Sequence, residues 1–270
     1  MTGGTRAVTV QRGDGPTIAY DIAGDGPLVL FVHGLTSNRR GWDPVTSQLV
    51  RDLTCLRVDL RGHGESSAAT DYSMQSLVGD VRAVVEDIGL GEPAVVGHSL
   101  GASVAAVYAA AYDPRAVVCI DQSLRFGDFA KLVQAHADRL QGPHTMDAVL
   151  SIDHALGLEP YAGIEELEQR VLAFPREFVL GVWHALLTNP ADELTATAEA
   201  LLPRIAAPLL SLHGSPPQPD YQPWLTRLVP RARVETWDRT GHMLHLVDRA
   251  RFTSRIRPLL ADPPTLNPPS

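Results

Sequence analysis

The feature that most constrains this chain is a set of short apolar runs spaced by helix-length intervals. The runs are 28–32, 53–58, 94–96 and 117–120, then 208–212 and a further strand pattern at 232–237. Helical periodicity fills the intervals at 42–50, 73–89, 100–112, 224–229 and 247–260. In 73–89 the residues Leu77, Val81, Val84, Val85 and Ile88 share one face. Buried strands alternating with helices predict an α/β fold, a mainly parallel sheet with helices on both faces. Ahead of them, 5–11 and 16–22 alternate with strand period around Gly13-Asp14-Gly15, which reads as a hairpin.

The alternation stops after 117–120 and resumes at 208–212. Residues 122–205 carry helical patterns, the aromatics Phe126, Phe129, Phe174, Phe178 and Trp183, and four of the ten histidines. They read as an inserted helical cap over the sheet edge, which splits the core into 1–121 and 206–262. The last residues, 263–270, are proline-rich without apolar periodicity and are expected to be disordered.

Charge and composition narrow the partners. A net charge of −8, with Lys131 the only lysine, gives no basic face for nucleic acid. No apolar run reaches the roughly 18 residues of a membrane span, and no signal peptide is visible, so a cytoplasmic protein is expected. Two cysteines, Cys55 and Cys119, exclude a disulfide framework and a four-cysteine zinc site; both read as buried thiols.

The chemical signal is Gly97-His98-Ser99-Leu100-Gly101. An apolar strand ends at Gly97 and a helix of small residues starts after Ser99, the strand–turn–helix context of a nucleophile elbow. Side chains two positions from the serine would collide in so sharp a turn, hence the glycines. The turn places the Leu100 N–H where an oxyanion forms. His33-Gly34 follows strand 28–32, and glycine there lets the Leu35 N–H face the same pocket.

With FVHG at 31–34, DLRGHGES at 59–66, GHSLG at 97–101 and TGHMLHL at 240–246, the chain resembles the α/β-hydrolase superfamily with a cap domain. The resemblance covers 5–121 and 207–260. The serine nucleophile sets it apart from the haloalkane dehalogenases and epoxide hydrolases of that superfamily, which use aspartate there. A serine needs a histidine base. His242, after strand 232–237 and the Thr240-Gly241 turn, matches the superfamily's base position. His245 reads as a packing or pocket-lining residue; no third ligand of suitable spacing accompanies the pair, so no metal is expected. In the DLRGHGES loop, Asp59 and Arg61 are suited to tying the turn by hydrogen bonds.

The acid departs from the family pattern. Many members carry it in His-Gly-x-x-Asp, but here the text is His213-Gly214-Ser215-Pro216-Pro217. Two candidates remain. Asp121 ends strand 117–120, at the sheet edge where ligands collect, and some superfamily members, the fungal zearalenone lactonases among them, carry their acid at this strand; its other reading is a cap for the first lid helix. Asp220 lies in a proline-rich loop, where an N-cap role is the competing reading.

The expected chemistry is attack by Ser99 on a carbonyl, with His242 as base, Asp121 orienting it, and no cofactor. Trp183 is the expected pocket-lining residue, its indole N–H able to hold a polar group. The acid placement implies a small apolar ester or lactone as substrate. Carbon–carbon hydrolysis of a diketone, perhydrolase activity, and a ligand-binding protein with weak turnover are the alternatives the resemblance leaves open. A monomer or homodimer is expected.

Overall fold

The apolar runs become the middle of one eight-stranded sheet, in a computed structural model that describes residues 6–11, 15–157 and 175–262. The strands are β1 (Arg6–Gln11), β2 (Thr17–Ala23), β3 (Leu28–Val32), β4 (Thr54–Val58), β5 (Ala94–His98), β6 (Val117–Ile120), β7 (Leu209–His213) and β8 (Ala232–Thr236). Their spatial order is β1-β2-β4-β3-β5-β6-β7-β8. β2 is antiparallel to β1 and β4, and every later pairing is parallel. Every residue of β3 to β7 is buried, which is why those runs are continuously apolar. β8 is one edge, and Arg233 and Glu235 keep it partly wet.

Register aligns the strand ends. Val32 pairs with Gly97, Gly97 with Cys119 and Cys119 with Ser211. The loops leaving β3, β5, β6 and β7 therefore emerge side by side at one edge of the sheet.

Before the long gap come α1 (Asp43–Thr46), α2 (Met74–Ile88) and α3 (Leu100–Ala111). The expected helix over 42–50 is shorter than its pattern. Beyond Thr46 the backbone bonds mix three- and four-residue spans (Gln48 to Val45, Leu49 to Thr46, Val50 to Thr46), so the chain tightens into turns. α2 is capped by the Ser73 hydroxyl at one end and by Gly89 at φ 65° at the other.

Among the described residues of 122–205 there is no strand. The helices are α4 (Phe126–Gln134), α5 (Ala137–Gln141), α6 (Thr145–Ala155), α7 (Arg176–Val182), α8 (His184–Thr188) and α9 (Ala191–Leu201). Phe174 and the tail 263–270 lie outside the described residues. The chain ends with α10 (Tyr221–Leu228), α11 (Leu244–Val247) and α12 (Arg249–Ala261). The helix expected over 247–260 is α12, which starts at Arg249 because the Asp248 carboxylate caps it at the Arg251 N–H; the short α11 precedes it.

Two apolar clusters sandwich the sheet. Leu28, Leu30 and Val32 of β3 point into one, with α2, α3 and α10; Val29 and Phe31 point into the other, with α1, α11 and α12. Cys55 and Cys119 are buried, one in each cluster.

Candidate active site

Ser99 is the hinge between β5 and α3. Its φ of 52° and ψ of −119° lie outside the regions open to ordinary residues. The sheet enforces this conformation: the Ser99 N–H still bonds the Ile120 carbonyl at 2.9 Å while the next residue already starts a helix. Space at the elbow explains the flanking glycines. A Cβ at Gly97 would overlap the Gly101 carbonyl, and one at Gly101 would overlap the carbonyl of Val32. Gly34 lies against the elbow from the β3 loop, where a Cβ would come within 3.3 Å of the Ser99 Cβ.

Asp121 leaves β6 at φ 48°, a second non-glycine in the left-handed region. Its N–H bonds the Leu212 carbonyl at 2.7 Å, which turns its carboxylate toward the loops after β7 and β8. One oxygen accepts the Gly214 N–H at 2.8 Å and the other the His242 Nδ1–H at 2.7 Å. Burial opposes ionisation of this carboxyl, yet the bonds from His242 and Gly214 outweigh it and hold the pKa below the usual range. The neutral His242 ring therefore carries its proton on Nδ1, which leaves Nε2 as the basic nitrogen.

His242 is also fixed through its backbone. Its N–H faces the Gly157 carbonyl at 3.4 Å, and its carbonyl accepts the Nε2–H of His98 at 2.9 Å. His98 is buried, and desolvation together with the neighbouring His242 lowers its pKa to about 3, so it stays neutral. The ring of His245 packs between those of His98, at 4.6 Å, and Trp42, at 4.9 Å.

The β3 loop carries Leu35. The Nδ1–H of His33 bonds the Gly34 carbonyl at 2.8 Å while its Nε2 accepts the Leu60 N–H at 3.0 Å. Among the described residues, neither the Leu35 nor the Leu100 N–H is spent on an internal hydrogen bond. Beneath the loop, Asp59 accepts the backbone N–H groups of Arg39 at 2.7 Å and Glu65 at 2.9 Å. Arg61 makes a two-pronged pair with Asp80 at 2.6 and 2.7 Å.

The structure thus brings Ser99, Asp121, His242 and the Leu35 and Leu100 loops to one edge of the sheet. Asp220 is placed differently. Its carboxylate is largely exposed and bonds Arg125 at 3.1 and 3.2 Å, and it makes no side-chain cap of α10. Trp183 is buried at the end of α7, its ring edge-on to Phe129 at 5.8 Å. No cluster of three metal-ligating side chains occurs among the described residues. Two participants lie beyond sequence reasoning. His98 occupies the free position of the Gly-x-Ser-x-Gly pattern, and nothing in the spacing marks it as a tether for His242. The Gly214 N–H was visible only as part of a motif that had lost its aspartate.

Comparisons with known proteins bear on the family and the fold. A family model described as alpha/beta hydrolase family matches residues 29–255. The 2-(acetamidomethylene)succinate hydrolase of Mesorhizobium japonicum is 40% identical over 101 residues, 36% of this chain and 36% of that protein, so the match spans about a third of that relative. Among solved structures, a thermophilic esterase from Thermogutta terrifontis superposes with a TM-score of 0.74 at 22% identity, over 96% of this chain and 100% of the other. A hydrolase from Pseudomonas aeruginosa does so with a TM-score of 0.77 at 20% identity, over 93% and 97%. At these identities the structural likeness speaks for the fold alone.

Proposed function

This chain belongs to the alpha/beta hydrolase family, and on that premise we propose that it hydrolyses a carboxylic ester or lactone with Ser99 as nucleophile. The observation that carries the reading is the 2.7 Å bond from His242 Nδ1 to a buried, ionised Asp121, one strand away from a strained serine.

The steps follow from the roles. Ser99 Oγ attacks the carbonyl carbon as His242 Nε2 takes its proton. The carbonyl π electrons move to oxygen, and the Leu35 and Leu100 N–H groups receive that oxyanion; one such donor is typically worth about 3 kcal/mol. Collapse expels the alkoxide, which takes the proton from His242. Water then gives a proton to His242 and attacks the acyl-enzyme, releasing the acid and restoring Ser99. Asp121 keeps His242 in the tautomer the first step needs and stabilises the imidazolium between steps. No cofactor enters. In this reading 122–205 form the cap, Trp183 lines its underside, and the protein works in the cytoplasm as a monomer or homodimer.

The test is turnover of p-nitrophenyl esters and a set of lactones from pH 5 to 9, for wild type and Ser99→Ala. Activity that disappears with Ser99→Ala supports the reading, and activity that survives it defeats the assignment. A second reading has one observation in its favour, the Mesorhizobium japonicum relative. Its named substrate, 2-(acetamidomethylene)succinate, belongs in the same panel, and preference for it over simple esters would move the substrate class while leaving the nucleophile in place.

A further inference from the structure

We propose that His63 is a positioning residue for the oxyanion site and that Phe178 couples it to the helices between β6 and β7; this rests on the serine-hydrolase reading above. His63 is buried in the DLRGHGES turn, with Nε2 2.7 Å from the Leu35 carbonyl and Nδ1 3.2 Å from that of Arg61. Both contacts are acceptors, and burial keeps the ring neutral with a single N–H. That proton belongs on Nε2, since otherwise a lone pair would face the Leu35 oxygen at the shorter distance.

His33 holds the preceding carbonyl, that of Gly34, which shares its peptide plane with the Leu35 N–H. The carbonyls on both sides of this N–H are therefore each held by a buried imidazole, and the two rings pack at 5.0 Å. A donor fixed this way needs no reorganisation when the oxyanion forms.

The other face of His63 meets Phe178 of α7, edge-on at 4.2 Å. Phe178 is fully buried and also packs on Tyr72 at 5.0 Å. The same helix presses Gly181 onto Tyr72, where a Cβ would come within 2.9 Å of the Tyr72 Cβ. A shift of α7 thus acts on the ring that orients the loop, which links these helices to the Leu35 donor.

Two substitutions separate the roles of the ring nitrogens. In His63→Gln the amide N–H reaches the place of Nε2, and in His63→Asn only that of Nδ1. Both are measured beside wild type, Ser99→Ala, Phe178→Leu and the double variant His63→Asn/Phe178→Leu. The readouts are kcat, KM and inhibition by an alkylboronic acid, which forms a tetrahedral serine adduct; thermal unfolding reports folding. The expected result for His63→Asn is a fall in kcat of about 10- to 100-fold, with KM within about twofold and boronate affinity falling in parallel. His63→Gln stays within about threefold of wild type. Phe178→Leu lowers kcat less and adds nothing to His63→Asn. Equal behaviour of Gln and Asn, or a boronate constant that does not follow kcat, overturns the positioning role. Additive effects of the two sites overturn the coupling. A wild type without Ser99-dependent turnover overturns the serine-hydrolase reading, and this one with it.

Discussion

At the scale of residues, the proposed acid is the carboxylate that bonds the histidine. Asp121 spends one oxygen on His242 and the other on the Gly214 N–H, whereas the Asp220 carboxylate is spent on Arg125. Asp121→Asn is therefore expected to lower kcat by about 10³- to 10⁴-fold, because the amide favours the wrong imidazole tautomer. Asp220→Asn should stay within about twofold; steady-state kinetics on one good ester compares them.

His98 sets a pH dependence of stability. Its folded-state pKa, near 3, lies below the ordinary 6.5. Above pH 6.5 both folded and unfolded chains hold it neutral and its contribution is complete. As the pH falls from 6.5 towards 3, the unfolded chain takes a proton that the folded one refuses, and stability is lost at about 1.4 kcal/mol per pH unit. His33, His63 and His213 are lowered by burial in the same direction, so their losses reinforce it. Urea melts between pH 5 and 8 should show this slope. His98→Gln, whose amide can still donate to the His242 carbonyl, should flatten it by about one proton.

At the scale of elements, the turns around the site rest on buried polar ties. The guanidinium of Arg61 bonds both oxygens of Asp80, which projects from α2, and so fastens the turn after β4 to that helix. Arg61→Leu leaves a buried carboxylate without this partner and should cost about 3–5 kcal/mol, read as a drop in the denaturant midpoint. Patterning anticipated the helix α2 almost to the residue, since Ser73 and Gly89 cap it from within the local text. It overran α1, where the tightening of the backbone carries no periodic signature. It also anticipated α12 to within two residues but left out α11, a single turn too short to show a period.

At the scale of the whole molecule, the site exists because parallel register aligns strand ends that are far apart in sequence. His242 lies 121 residues from Asp121 and its carbonyl meets the side chain of His98 from 144 residues away. The same packing seals the two thiols, which burial pushes up to about 12 each. Ellman's reagent at pH 8 should find no thiol in the folded protein and two per chain in denaturant. Early reaction of either would show local opening of β4 or β6.

Read alone, the chain already determined the alternation of strands and helices, the elbow serine with its two obligatory glycines, and the histidine after the last strand. These show in local patterns: period, the spacing of the elbow, and the turn that ends a strand, although what forbids a Cβ at Gly101 is the Val32 carbonyl of the neighbouring strand. Only the tertiary structure put Asp121 and not Asp220 against His242, turned His98 into a tether for the His242 carbonyl, and set Phe178 against His63. Each of those depends on which side chains face one another across strands and helices distant in sequence, and local spacing carries no term for that.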